Sequence, residues 1–186
     1  MNGKTDQNLK SWSIAGLFVI FILAGLWHFL YTWLPGPLTA VLSPVNESPW
    51  EHTKLFFMPA LIYFIIGQLT VGKAYPNFML AHAAVLPLMP LLMLFIYGLF
   101  RAFGVESLVV DLVNTLIVIA FGMAVSYRLT VSSMPLAGLR GRVTAVLLVL
   151  GMLVVFAVFT YFPPHISIFQ DSNTLRYGIP PRVNAD

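Results

Sequence analysis

Residues 12–34 read WSIAGLFVIFILAGLWHFLYTWL, a run without a single Lys, Arg, Asp or Glu. About 20 helical residues cross the hydrocarbon core of a bilayer, so this run is read as a membrane span. Lys4 and Lys10 precede it, as in a signal peptide. The run is too long for a signal h-region, however, and no small-residue cleavage motif follows it, which predicts a retained first helix. It stops at Pro35-Gly36-Pro37.

Four more long, mainly apolar runs follow, at residues 49–72, 76–100, 105–127 and 143–162. Pro87 and Pro90 fall inside the third, where a membrane bundle tolerates them as kinks. Pro163-Pro164 end the fifth and leave a tail, residues 163–186. The composition agrees: 59% of the 186 residues are hydrophobic and 9% are charged. A soluble domain carries about 25% charged residues. The expected fold is therefore all-α: one polytopic integral membrane bundle of about five transmembrane helices, spanning residues 1–186. The net charge of +3 is small and scattered, which argues against nucleic acid as a partner. There is no cysteine, so disulfides, thiolate metal sites and thiol nucleophiles are excluded.

Short basic loops stay in the cytoplasm. Lys4, Lys10, Lys73, Arg128, Arg140 and Arg142 all fall on one side of a five-span chain. Arg101 lies on the other side, with Arg176 and Arg182 far out on the tail. This places the N-terminus inside and the C-terminus outside, in the cytoplasmic membrane. Trp27, Tyr31, Trp33, Trp50 and Tyr161 would form an aromatic belt at the outer surface.

The polar chemistry of this apolar chain is concentrated in residues 44–52, PVNESPWEH. Ser48-Pro49-Trp50-Glu51 matches a capping box with proline at the first helical position. In that arrangement Ser48 accepts from the amide of Glu51, and Glu51 reaches back to Ser48. Lys54, three residues after Glu51, is placed for an ion pair. Neither feature accounts for Asn46, Glu47 or His52. If the helix begins at Pro49, Glu47 belongs to the approach loop and points independently.

The topology brings further ionisable groups to the same end. His28 sits in AGLWHFLY, late in the first span, and an ionisable group inside a span faces the bundle interior and is a functional candidate. Asp111 belongs to a stripe, Ser107, Asp111, Asn114, Thr115, Val118, Gly122 and Ser126, that marks one helix face. Its small members suit close helix packing. His165 follows Pro163-Pro164, with Asp171 close behind. His82 is alone near the opposite face, where a neutral, hydrogen-bonded core imidazole is the better account.

His28, His52, His165 and Asp111 therefore make a metal-capable set, with Glu47 or Glu51 as general base. Asn46, Ser48, Trp50, Lys54, Asn114 and Asp171 would support it. Three N or O ligands and an open position is the pattern of catalytic zinc. The enzyme this describes is a membrane hydrolase, dependent on zinc or another divalent metal, that takes a lipid or amphiphile from the outer leaflet. The competing account is a non-enzymatic transport, sensor or assembly subunit whose polar cluster is a structural network. No H-E-x-x-H, G-x-S-x-G or phosphate loop is present to decide between them.

Three segments carry a family likeness: HFLY (28–31), PVNESPWEHTKLFFMP (44–59) and YFPPHISIFQD (161–171). They resemble a family of small bacterial multi-pass membrane proteins of unknown function, with a P-V-N-E-S-x-W-E-H core and a P-P-H tail. The resemblance implies a multi-pass fold and no particular reaction. A looser likeness, in architecture only, is to intramembrane metal hydrolases that gather His and Asp near one membrane face.

Overall fold

The computed structural model of the chain describes residues 3–105 and 107–181, with side chains from residue 6 onward. Arg182 and the side chain of Lys4, both used to orient the chain, lie outside that description.

Helix α1 (Gly3–Trp27) gives way to a turn at His28 and Phe29, then α2 (Leu30–Trp33). A short connecting helix, α3 (Pro37–Leu42), leads to α4 (Pro49–His52) and α5 (Lys54–Leu69). The three long helices that follow are α6 (Phe78–Ala102), α7 (Leu108–Val131) and α8 (Gly138–Tyr161). Among the described residues, five segments are long and apolar enough to cross a membrane: Asp6–Trp33, Pro49–Leu69, Phe78–Ala102, Leu108–Val131 and Gly138–Tyr161. The chain is a multi-pass membrane protein with an all-α fold.

These helices are apolar on every side, as a bundle in lipid requires. Phe18, Ile22, Leu91, Phe95, Leu147 and Val154 are exposed and face outward. Ile20, Phe57, Met89, Val118, Ile119 and Phe156 are fully buried between the helices. Lipid tails are as apolar as leucine, so helices in a membrane associate by close packing rather than by exclusion from water. Glycine permits that closeness. A Cβ added to Gly122 would collide with Met89, and one added to Gly16 would collide with Met123 and Tyr63. The small-residue stripe of α7 is only partly in the core: Asn114, Val118, Gly122 and Ser126 are buried, while Ser107 and Asp111 are exposed. Pro87 and Pro90 lie within an unbroken α6.

The spans depart from the sequence expectation in two places that matter. The first crossing is interrupted at His28, where the Phe29 amide donates to Leu26 three residues back rather than four. The second crossing is interrupted at Thr53. Its hydroxyl donates to the Trp50 carbonyl at 2.6 Å, and its amide donates to the same carbonyl. Such local side-chain bonds compete with the helical ladder and bend it.

Both interruptions lie at the same end of the bundle, because α1 and α5 run in opposite directions. The tail folds over that end. Phe169 packs on Trp50 at 5.0 Å and on Phe159 at 5.2 Å between ring centroids. Trp50, expected in an interfacial belt, instead packs inward against Phe156, Phe159 and Phe169.

Candidate functional site

Two polar clusters grow out of residues 44–54. The first is closed. Ser48 caps α4 by accepting from the Glu51 amide at 3.3 Å, as expected. The reciprocal half of the capping box is absent: Glu51 does not return to Ser48, whose amide donates to Asn46 Oδ1 instead. The Glu51 carboxylate accepts from the Val45 amide at 3.0 Å, from Lys54 Nζ at 2.6 Å and from the Thr160 hydroxyl at 3.1 Å. Lys54 Nζ also donates to Thr160 Oγ1 and to the carbonyls of Ala40 and Ser43. Lys54 is fully buried and Glu51 is 2% exposed. This cluster ties α3, α4, α5 and α8 together.

The second cluster is open. Glu47 precedes Pro49, so its side chain is free of the helix and points independently. It meets two imidazoles. His28 Nε2 and His52 Nε2 are 3.2 Å apart, and Glu47 Oε2 lies 3.6 Å from the first and 3.3 Å from the second. His28 and His52 beside it hold the Glu47 carboxyl well below the usual carboxylate range, so it is ionised at neutral pH. His52 Nδ1 is 2.9 Å from the Ser48 carbonyl. A carbonyl only accepts, so Nδ1 carries the proton and the neutral ring turns a bare lone pair on Nε2 toward His28 and Glu47. Lone pairs and a carboxylate converging at this distance require a proton or a cation between them. His28, Glu47 and His52 are a group that could hold a metal ion.

The tail supports this group from behind. Asp171 is buried and accepts from the amides of Glu47, Asn173 and Thr174. Burial alone would raise the Asp171 carboxyl, but those amide donors outweigh it and hold it below its usual range. Ser172 Oγ donates to the Glu47 carbonyl, and Asn46 Nδ2 donates to the Gly178 carbonyl at 2.8 Å. Gly178 has φ +72°, a left-handed backbone that favours glycine.

The group opens on a cavity of about 700 Å³. Phe21, Phe29, Leu55, Phe56, Met93 and Leu112 make most of its wall apolar. Tyr97, Arg101, Asp111, Asn114 and Thr115 supply polar groups beyond the imidazoles. Asn114 is buried, and its Oδ1 has no hydrogen-bond partner among the described residues.

The structure thus gathers part of the expected set. His28, His52 and Glu47 come together, with Asp111 and Asn114 on the wall of the same cavity. Asn46 and Asp171 hold the loop and the tail in place. Glu51 and Lys54 are occupied with each other. His165 is exposed and stacks on Tyr177 at 4.5 Å, outside the group. Thr160 and Ser172 were not anticipated. They join α4 and the approach loop across more than 100 residues, and no local pattern announces such a contact.

Compared with known families, residues 1–179 match the one described as "Family of unknown function (DUF6512)". The chain belongs to that family. Among curated proteins and solved structures there is no match. For this DUF6512 member, the chemistry is therefore argued from the site.

Proposed function

We propose that this protein is a metal-dependent membrane hydrolase. His28, His52 and Glu47 hold zinc or another divalent ion, and a lipid or other amphiphile is cleaved in the adjoining cavity. One observation carries the reading. A triangle with sides 3.2, 3.3 and 3.6 Å has a circumradius of about 1.95 Å, so at these separations one ion can lie at the usual 2.0–2.1 Å from all three atoms. Two histidines and one carboxylate with a fourth position open to the cavity is a catalytic zinc arrangement.

The surroundings fit that chemistry. The hydrogen bond from His52 Nδ1 to Ser48 and the tail's grip on the Glu47 backbone are the kind of outer contacts that orient metal ligands. A divalent ion held by His28, His52 and Glu47 would supply Lewis acidity and a water nucleophile acidic enough to attack an ester or phosphoester near neutral pH. Glu51 is closed off by Lys54, and Glu47 is spent as a ligand. Asp111, on the cavity wall, is the carboxylate left to take the water proton and return it to the leaving group. By the distribution of Lys and Arg, the site lies at the extracytoplasmic face of the cytoplasmic membrane.

Elemental analysis of the purified protein tests the first step: about one divalent ion per chain, lost in His52→Ala. A panel of ester and phosphoester amphiphiles tests the second, with activity removed by a chelator and restored by metal. Wild-type protein that neither carries nor takes up a divalent ion overturns the reading.

A second reading has its own support. Contacts of 3.2 and 3.3 Å are also what a shared proton between imidazoles and a carboxylate produces. In that case the group is a hydrogen-bonded network in a non-enzymatic transport, sensor or assembly subunit. It predicts that His52→Ala lowers the melting temperature of metal-free protein as much as Lys54→Met does.

A further inference from the structure

The cavity beside His28, Glu47 and His52 is a cleft between two helices. Halfway along α1 the helices touch: a Cβ on Gly16 would meet Met123 Cε of α7 at 2.6 Å. Gly25 stands further on, roughly 14 Å along α1, and a Cβ there meets nothing within 4 Å. At that level the cavity is lined by Ile22 and Gly25 from α1 and by Leu108 and Leu112 from α7. Ile22, Leu108 and Leu112 are also exposed, and on a bundle in lipid an exposed apolar surface faces the bilayer. The cleft therefore opens sideways into the membrane.

Its polar end holds an anchored cation. Arg101 is the one Lys or Arg on the cavity wall among the described residues. Its Nε donates to the Tyr97 hydroxyl at 2.8 Å, and its guanidinium carbon lies 5.0 Å from the centre of the Tyr97 ring. Tyr97 is one turn back on α6, so the two side chains share a face and the phenol holds the cation in place. A guanidinium carries five N–H donors, so it can serve Tyr97 and other protein groups and still bind an anion. The Tyr97 hydroxyl, which accepts from Arg101, keeps its own hydrogen to donate. The acids on the wall are Glu47 and Asp111. A divalent ion on His28, His52 and Glu47 would, together with Arg101, outweigh them, and the cleft then favours a negative ligand.

We propose that the substrate is a phosphoester lipid, its phosphate held between Arg101 and the His28–Glu47–His52 group and its chain leaving between α1 and α7 into the bilayer. The assignment names the substrate class of the site described above, and it rests on the metal-dependent reading for the fate of that phosphate. The arginine fork matches phosphate oxygens with paired, charge-assisted hydrogen bonds, and a neutral carboxylic ester offers no such charge. A cavity of about 700 Å³ suits a headgroup, being within the roughly 300–1,000 Å³ of small-ligand sites. The open flank lets the chain stay in lipid, so the headgroup alone has to fit.

The test uses purified full-length protein in dodecyl maltoside, a detergent without phosphate, and two photoreactive probes. One is a diazirine-bearing hexadecylphosphonate, which has no ester bond to hydrolyse; the other is the matching hexadecanol. Crosslinked peptides are located by mass spectrometry, and metal content is read by elemental analysis. The phosphonate should label residues 21–29 and 108–115 about tenfold more than the alcohol, the factor for one charge-assisted hydrogen bond. Arg101→Gln should erase that preference with metal content unchanged, and Arg101→Lys should keep part of it. Gly25→Trp, which leaves Arg101 in place and has open space at its Cβ, should remove labelling by both probes. Melting curves establish that each variant is folded. Equal labelling by the two probes overturns the proposal, as does a preference that survives Arg101→Gln. Methylphosphonate, which lacks the chain, should not compete; competition equal to that of unlabelled hexadecylphosphonate would make the ligand a free phosphate and overturn the lipid assignment. The two readings fail separately. Protein without a divalent ion overturns the hydrolase, while an Arg101-dependent preference in it upholds the phosphate site. Protein that carries the ion and shows no preference overturns the phosphoester and leaves the metal site standing.

Discussion

Glu47 and Glu51 are four residues apart and end in opposite circumstances. Glu51 is closed in by an ammonium, a hydroxyl and an amide, and with Lys54 it is sealed from solvent. Glu47 keeps 39% of its side chain exposed, and its partners His28 and His52 keep 28% and 30%. Pro49 separates the two: the helix begins there, so Glu51 turns into the bundle and Glu47 stays on the loop. A carboxylate whose every contact is filled by fixed protein groups holds structure. One left facing lone pairs and a cavity is available for chemistry. The position of a helix start decides which is which.

That contrast can be broken most directly at Lys54. Lys54→Met strands the Glu51 carboxylate without a counter-ion, which costs about 3–5 kcal/mol. For a chain of this size that lowers the melting temperature of detergent-solubilised protein by roughly 6–20 °C. Adding Glu51→Leu to the same variant should recover much of the loss, because an apolar replacement of both partners is often neutral. A double variant no more stable than the single one would mean that the pair is not acting as a closed unit. Calorimetry or a dye-based melting assay reads both.

At the open cluster, on the metal-dependent reading proposed above, the order of effects reverses. His52→Ala should take bound metal to background while changing the stability of metal-free protein by less than about 1 kcal/mol, as for a partly exposed side chain. Elemental analysis and melting with chelator present separate the two readouts. Asp171→Asn, which weakens the grip on the Glu47 amide, should lower metal affinity about 10- to 100-fold and leave the ligands themselves intact. Competition with a chromogenic chelator measures it. His165→Ala lies at the small end: metal content unchanged and stability within about 0.5 kcal/mol of wild type. A large loss of metal in that variant would bring the tail histidine into the centre and redraw the comparison.

Much of this is legible in the amino-acid sequence. Five apolar runs dictate five crossings, because in lipid each backbone amide must be satisfied within its own helix. The Ser48 cap, the Glu51–Lys54 pair and the pairing of His28 with residues 44–52 at one end follow from local spacing and an alternating topology. Other outcomes were not legible. Neither His28 nor Thr53 is itself a glycine or proline, so the exact places of the breaks are not marked, and yet these breaks help to set where His28 and His52 sit. Glu51 reads from the sequence as a candidate base, and the Thr160 hydroxyl, 109 residues away, joins Lys54 in closing it off. His165 looked like a ligand because Pro163-Pro164 aim the chain over the bundle, but the tail uses Asp171, Ser172 and Gly178 to hold the loop and leaves His165 on Tyr177.

What the sequence determined by itself, then, is the solvent and the topology: hydropathy over 20 residues is an additive, local quantity, and it needs no partner to be read. What only the tertiary structure decided is which of several equivalent polar groups share a point in space. That depends on ångström-scale contacts between segments far apart in the chain, and a triangle about 3.3 Å on a side is drawn by all of them together.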